Sequence, residues 1–192
     1  DAGGRRLYWP RGKVLGGCSS MNAMIYIRGH RQDFDEWARR CGPGWGFDDV
    51  LPFFKRSEDQ GRGGDALHGV GGPLAVSDLR SVNPLSAAFV AACGEVGIGA
   101  NPDFNGPRQD GAGLYQVTQR RGRRCSAADA YLRPARRRPN LEVRTGCHVG
   151  RVLFEGDRAV GVELLRGDER IVERAAREVI VCAGAVGSPQ LL

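Results

Sequence analysis

Apolar positions along the chain change their period near residue 140. Before it, spacings of three and four dominate: Phe47, Val50, Leu51 and Phe54 fall at i, i+3, i+4 and i+7, which predicts a helix over 47–57 distorted by Pro52. Upstream, Asp33-Phe-Asp-Glu-Trp-Ala-Arg-Arg opens on an N-cap residue with Glu36 three positions on. That capping-box pattern predicts a short helix stopping before Gly42-Pro43-Gly44. Residues 84–96 predict a third helix ended by Gly97, and Ser126 a cap for a fourth reaching about Arg137. Residues 60–73 and 101–113 are loops by composition.

Beyond residue 140, short β-branched and aliphatic runs bounded by Gly or Asp take over. Residues 141–145, 149–154, 159–165 and 178–182 predict strands, and the turns Glu155-Gly-Asp-Arg and Arg166-Gly-Asp-Glu would join three of them as an antiparallel meander. The last run, Val179-Ile-Val-Cys-Ala, is almost wholly apolar, as expected of a strand buried on both faces. It leads into Gly184 and a helix start at Ser188-Pro189.

Composition narrows the class. The 192 residues suit one domain or a little more, and 41% hydrophobic with 26% charged residues is ordinary for a globular chain and excludes a disordered tail. No stretch approaches the roughly 20 apolar residues of a membrane-spanning helix. Glycine is the outlier at 29 residues, about twice its usual share and without a collagen period, so many tight turns and close backbone approaches are expected. Net charge is +6, carried by arginine with only Lys13 and Lys55 as lysines. Six cysteines without a C-x-x-C pair exclude a zinc ribbon or redox pair and suggest a reduced, cytoplasmic setting. An initial Asp1 and an uncapped apolar end at Leu192 lead to the expectation of an internal piece of a longer protein.

Two stretches suggest chemistry. Gly16-Gly17 followed by Ser19-Ser20 and an apolar run has the composition of a turn that lets backbone approach an anionic group such as a pyrophosphate; equally, it reads as a glycine turn capped by serine. It is neither a P-loop nor the dinucleotide G-x-G-x-x-G, because no Gly-Lys-Ser/Thr follows and the spacing differs. The run Val179-Ile-Val-Cys-Ala-Gly-Ala ends in small residues, as strands do where a flat or phosphate-bearing ligand sits at the edge of a parallel sheet.

The segment Arg11-Gly-Lys-Val-Leu-Gly-Gly-Cys-Ser-Ser-Met-Asn-Ala-Met-Ile-Tyr-Ile-Arg-Gly-His resembles the first signature of the glucose-methanol-choline (GMC) oxidoreductases, and Gly184-Ala-Val-Gly-Ser-Pro-Gln-Leu-Leu the opening of their second. Asp33-Phe-Asp-Glu-Trp, Gly44-Trp-Gly-Phe, Leu51-Pro-Phe-Phe, His68-Gly, Asn83-Pro, Arg138-Pro-Asn-Leu and Gly161-Val-Glu match in order between them, closest to the choline dehydrogenase-like branch. The resemblance implies an α/β fold: part of a glutathione-reductase-like FAD-binding domain, with an antiparallel β-meander and helical insertions. Its parts would be 1–30 wrapping the flavin, 31–140 as a helical and loop insertion, and 141–192 as meander and return strand.

It also implies FAD as cofactor. Val14, Gly16, Gly17 and Ser19 match the wrapping segment, Asn22, Ala23, Met24 and Ile25 the stretch beside the isoalloxazine ring, Val149 the position whose backbone pairs with adenine, and Ala183 and Gly184 the strand end near the dinucleotide. Donors at Ser19 and Asn22 suit the flavin's N1–C2=O edge, which gains negative charge on reduction. Members with covalent flavin carry His where Met21 stands, so non-covalent FAD is implied. The family's G-x-G-x-x-G would precede residue 1 and its catalytic His would follow residue 192, leaving no catalytic residue in the chain.

The implied reaction is oxidation of a small-molecule alcohol to an aldehyde, with a quinone-type acceptor or oxygen taking the electrons. A redox-silent flavin-binding lyase of the same family, or a non-functional fragment, is the alternative. His30, His68 and His148 are isolated and suggest neither metal binding nor acid–base work. The arginine runs 120–124 and 136–138 lack interleaved aromatics. They read as a solvated basic face, conceivable as a peripheral contact with an anionic inner-membrane surface, rather than as a nucleic-acid site.

Overall fold

The computed structural model describes residues 3–192. The chain divides into two compact units, Asp1–Arg138 and Pro139–Leu192.

In the first unit, α1 spans Arg31–Cys41 and α2 Phe47–Ser57. Helix α1 begins earlier than the Asp33 cap predicts. His30 is the N-cap, its Nδ1 accepting from Gln32 N, while the Asp33 carboxylate accepts from His30 N, so Asp33 is the third helical residue of the box rather than its start. Helix α2 has the expected bounds, with Pro52 inside it. The two helices close on an aromatic cluster in which Phe34 lies 6.1 Å from Phe47 and 5.6 Å from Phe54 between ring centroids.

Directly after α2, Glu58–Gln60 (β1) pairs in parallel with Leu74–Val76 (β2), a short pair that the apolar pattern does not mark. Helix α3, Pro84–Glu95, is capped by the Asn83 side chain, which accepts from Leu85 N at 2.9 Å. A two-residue ladder, Gln119–Arg120 (β3) with Arg123–Arg124 (β4), turns the chain into a π-turn, Ala128–Leu132, and a last helical turn, α4, Arg133–Ala135. The expected cap at Ser126 is present as an exchange with Asp129: Ser126 Oγ donates to its carboxylate at 2.7 Å, and Asp129 N donates back to Oγ at 3.2 Å.

In the second unit, His148–Glu155 (β5), Arg158–Arg166 (β6) and Glu169–Arg174 (β7) form the antiparallel meander, joined by the two expected turns. Its third strand is β7, not 141–145 or 178–182; neither of those runs pairs in a ladder. The backbone ladder with β6 holds β7, and Glu163 on β6 also accepts from Arg151 and Arg170 on the flanking strands. Residues 178–182, expected to be buried on both faces, have no strand neighbour, and Ile180 is 75% exposed. Helix α5 spans Gly184–Leu191, so it starts four residues before the expected Ser188 and takes Pro189 into its body. No helix among the described residues is long and apolar enough to cross a membrane.

Candidate functional site

The Gly-Gly turn is built by conformations that side chains disfavour. Gly16 (φ +89°) and Gly17 (φ +55°) both lie in the left-handed region and open a single 3₁₀ turn, Gly17–Ser20. A Cβ on Gly16 would stand 2.4 Å from Ser20 Oγ, and one on Gly12 would stand 2.4 Å from Gly17 O, so the approach 10–12 lies flat on the turn only as glycine. Ser20 Oγ donates to Leu15 O at 2.8 Å, and Gly12 N donates to Cys18 Sγ at 3.5 Å. That N–H, aided by Arg11, holds the exposed Cys18 thiol below its ordinary pKa. Ser19 Oγ donates to Gly16 O and accepts from Ala127 N at 2.9 Å, so its hydroxyl proton is engaged within the turn rather than left as the flavin donor the sequence suggests.

Downstream of the turn the backbone becomes extended and leans on residues 116–118. Met24 O accepts from Thr118 N at 2.8 Å, Ile25 bridges Val117, and Tyr26 N donates to Gln116 O at 2.9 Å. Asn22 Oδ1 accepts from Met24 N at 3.0 Å and from Arg124 Nη1 at 2.8 Å; Arg124 also donates to Asn22 O at 2.8 Å and Ser19 O at 3.1 Å. Two donors fix which end of the amide is oxygen, so what remains to Asn22 is donation from Nδ2, which has no partner among the described residues. Met24 takes φ +63° to make this bend. Ala23 and Ile25 line an apolar groove with Leu85 and Phe89 of α3 and Tyr115.

Beneath this strip lies a buried polar cluster that sequence reasoning missed. Arg28 Nη2 meets Glu58 Oε2 at 2.7 Å; Glu58 Oε1 also faces Gln60 Nε2 (3.1 Å) and His68 Nδ1 (3.2 Å), and His68 Nε2 lies 2.9 Å from Asp103 Oδ2. Arg28 N donates to Asn105 Oδ1 at 2.7 Å, anchoring the extended strip to the 101–113 loop. His68 is therefore a fully engaged core residue. No local pattern signals it, because its partners lie 8 to 35 residues away. Arg124, too, departs from the expected solvated basic face, since its guanidinium is spent on the turn.

In the second unit, Val149 sits on β5 opposite Leu164 and, with Ala183, His148, Val179 and Leu191, lines a mainly apolar groove of about 550 Å³. Ala183 N donates to Ser188 Oγ at 3.1 Å, and Gly184 has φ +81° with open space where a Cβ would stand. The site residues read from sequence thus form two sets: Val14, Gly16, Gly17, Ser19, Asn22, Ala23, Met24 and Ile25 in the first unit, and Val149, Ala183 and Gly184 in the second.

Mixed helices and strands with a glycine turn and an appended meander define part of an FAD-binding domain, the architecture shared with FAD-dependent oxidoreductases of known structure. The family profile described as GMC oxidoreductase matches residues 2–192, and the chain belongs to that family. It is 52% identical over 195 residues to an uncharacterized GMC-type oxidoreductase of Mycobacterium tuberculosis, covering 98% of this chain and 36% of the relative. It is 47% identical over 190 residues to an oxygen-dependent choline dehydrogenase of Brucella anthropi, covering 99% of this chain and 34% of the relative. Among solved structures, pyridoxine 4-oxidase from Mesorbium loti matches with TM-score 0.86 and 38% identity, over 99% of this chain and 38% of that one. The chain thus spans about a third of the length of the relatives it matches.

Proposed function

We propose that these residues supply flavin-holding parts of an enzyme that oxidises an alcohol to an aldehyde, in the manner of a choline dehydrogenase, with FAD held non-covalently. The observation that carries the reading is Asn22: an amide whose oxygen is saturated and whose nitrogen is left to donate, next to a turn that tolerates no side chain at Gly12 or Gly16. A donor in that place suits an aromatic heterocycle edge that becomes anionic on reduction. Taken unit by unit, the residues suit parts of the cofactor: in the first, Val14, Gly16, Gly17 and Ser19 would wrap it and Asn22, Ala23, Met24 and Ile25 would border its ring, and in the second, the apolar groove at Val149 and Ala183, with Gly184, has the chemistry to take an adenine. FAD held there would supply the hydride-accepting chemistry, with a quinone-type compound or oxygen as the final electron acceptor. The chain's part is to hold and orient; the histidine that takes the hydroxyl proton is proposed to lie outside residues 1–192. Arg121, Arg123 and Arg138, which border one groove, are proposed as the basic surface for any peripheral membrane contact.

The test is anaerobic mixing of the full-length, FAD-loaded protein with choline, pyridoxine, an aliphatic and an aryl alcohol. Loss of the oxidised flavin band with at least one of them, and formation of the matching aldehyde, is the expected result. Flavin that a chemical reductant bleaches but no alcohol does would contradict an alcohol-oxidising role.

A further inference from the structure

We infer that Arg124 is a positioning residue for flavin reduction, acting through the Asn22 amide. The inference rests on the proposed placement of Asn22 at the flavin edge and adds the residue that sets its orientation and strength as a donor.

Three features of Arg124 carry it. Its guanidinium is directed at the turn 19–22, with bonds of 2.8 Å to both Asn22 Oδ1 and Asn22 O and a third, of 3.1 Å, to Ser19 O. Its backbone belongs to the framework that holds Met24: Arg124 lies in β4, opposite Gln119, and the next residue, Cys125, donates to Thr118 O at 2.8 Å, while Thr118 N donates to Met24 O at 2.8 Å. No carboxylate among the described residues forms an ion pair with Arg124, in contrast to Arg120 with Asp59 and Arg133 with Asp129, so its direct side-chain partner is the Asn22 amide.

The physical consequence concerns the other end of the amide. A cation bonded to the carbonyl oxygen draws electron density through the conjugated amide and makes the Nδ2 hydrogens better donors, as linked hydrogen bonds strengthen one another. The same bond, together with Met24 N, forbids the flipped amide, which would present oxygen instead. Both effects favour an anionic acceptor over a neutral one and thus the reduced flavin over the oxidised. A residue that only braced the turn would change its stability and leave this balance alone.

The experiment is a double-mutant cycle on the full-length, FAD-saturated protein with Arg124→Met, Asn22→Ala and the pair, read as the flavin midpoint potential by dye equilibration, alongside FAD affinity and melting temperature. The inference predicts that each single change shifts the flavin's reduction equilibrium about tenfold toward the oxidised form, roughly 30 mV for a two-electron couple. In the Asn22→Ala background, Arg124→Met should then add almost nothing. Arg124→Lys, which keeps the charge but not the two-point contact, serves if the methionine variant does not fold, and should show a smaller shift of the same sign. An unchanged potential in the Arg124 variants with a shifted Asn22→Ala overturns the role of Arg124 and leaves the flavin-edge reading standing. A full Arg124→Met shift persisting without Asn22 overturns the route through the amide. An unchanged potential in Asn22→Ala overturns the underlying placement, and this inference with it.

Discussion

Arg28 and Glu58 meet at 2.7 Å with side chains 4% and 0% exposed, joining the strip that follows Asn22 to strand β1. Glu58 is the only anionic partner of Arg28 among the described residues, so neutralising it leaves the buried guanidinium with Leu67 O alone as a hydrogen-bond acceptor. Glu58→Gln should cost about 3–5 kcal/mol, in the range found for breaking buried ion pairs. Chemical denaturation of the holoprotein checks it, and a loss below about 1 kcal/mol would show that water or the neighbouring His68 and Asp103 take up the difference.

Gly12→Ala should act on cofactor binding through sterics alone. Its Cβ would lie 2.4 Å from Gly17 O and 2.9 Å from Cys18 N, both backbone atoms that cannot swing aside. Gly156→Ala, at φ +58° with nothing within 4 Å, is the control: it carries left-handed strain of about 1–2 kcal/mol but lies in the turn between β5 and β6. FAD titration of the full-length apoprotein should show at least a roughly tenfold loss for Gly12→Ala, as a misplaced binding loop would cause, and parental affinity for Gly156→Ala.

The Ser126–Asp129 exchange gives a pH dependence of known sign. The Ser126 hydroxyl first, and its N–H second, hold the Asp129 carboxyl below its ordinary pKa. A depressed folded value contributes stability that is present above the unfolded value and disappears as pH falls through the folded one. Ser126→Ala should therefore cost about 1 kcal/mol near neutral pH, the usual worth of a cap. The deficit should shrink as melts are repeated down to about pH 3, below the usual aspartate value; a deficit that is constant with pH would separate the cap from the carboxylate.

Met21 stands where covalently linked relatives are expected to carry His, and a thioether cannot form that bond. Acid precipitation of the holoprotein should leave yellow flavin in the supernatant. Flavin retained in the pellet would show an attachment elsewhere.

The parts legible in the sequence are those encoded locally. Helix α2 follows from Phe47, Val50, Leu51 and Phe54, α3 from Asn83-Pro84, and the two meander turns from their Gly-Asp pairs. Strand β7 escaped because Glu169–Arg174 has only Ile171 and Val172 as apolar residues among charged ones, while 178–182 has the apolar run but pairs with no strand among the described residues. The glycine turn is visible as Gly16-Gly17, but its brace is not: Arg124 is 102 residues from Asn22, and His68, Glu58 and Asp103 become one cluster only when loops of different origin meet. Composition marks Arg124 as one of a basic run, and only geometry separates it from its neighbours.

The Asn22 amide is proposed to serve the reduced flavin rather than the turn. Stopped-flow reduction by saturating alcohol, on FAD-saturated full-length Asn22→Ala and parent protein, tests it most directly. Loss of a donor aimed at developing charge should lower the limiting rate at least about tenfold, with the FAD dissociation constant changed by less than about threefold. Equal limiting rates, with the variant differing only in FAD occupancy or melting temperature, would contradict it.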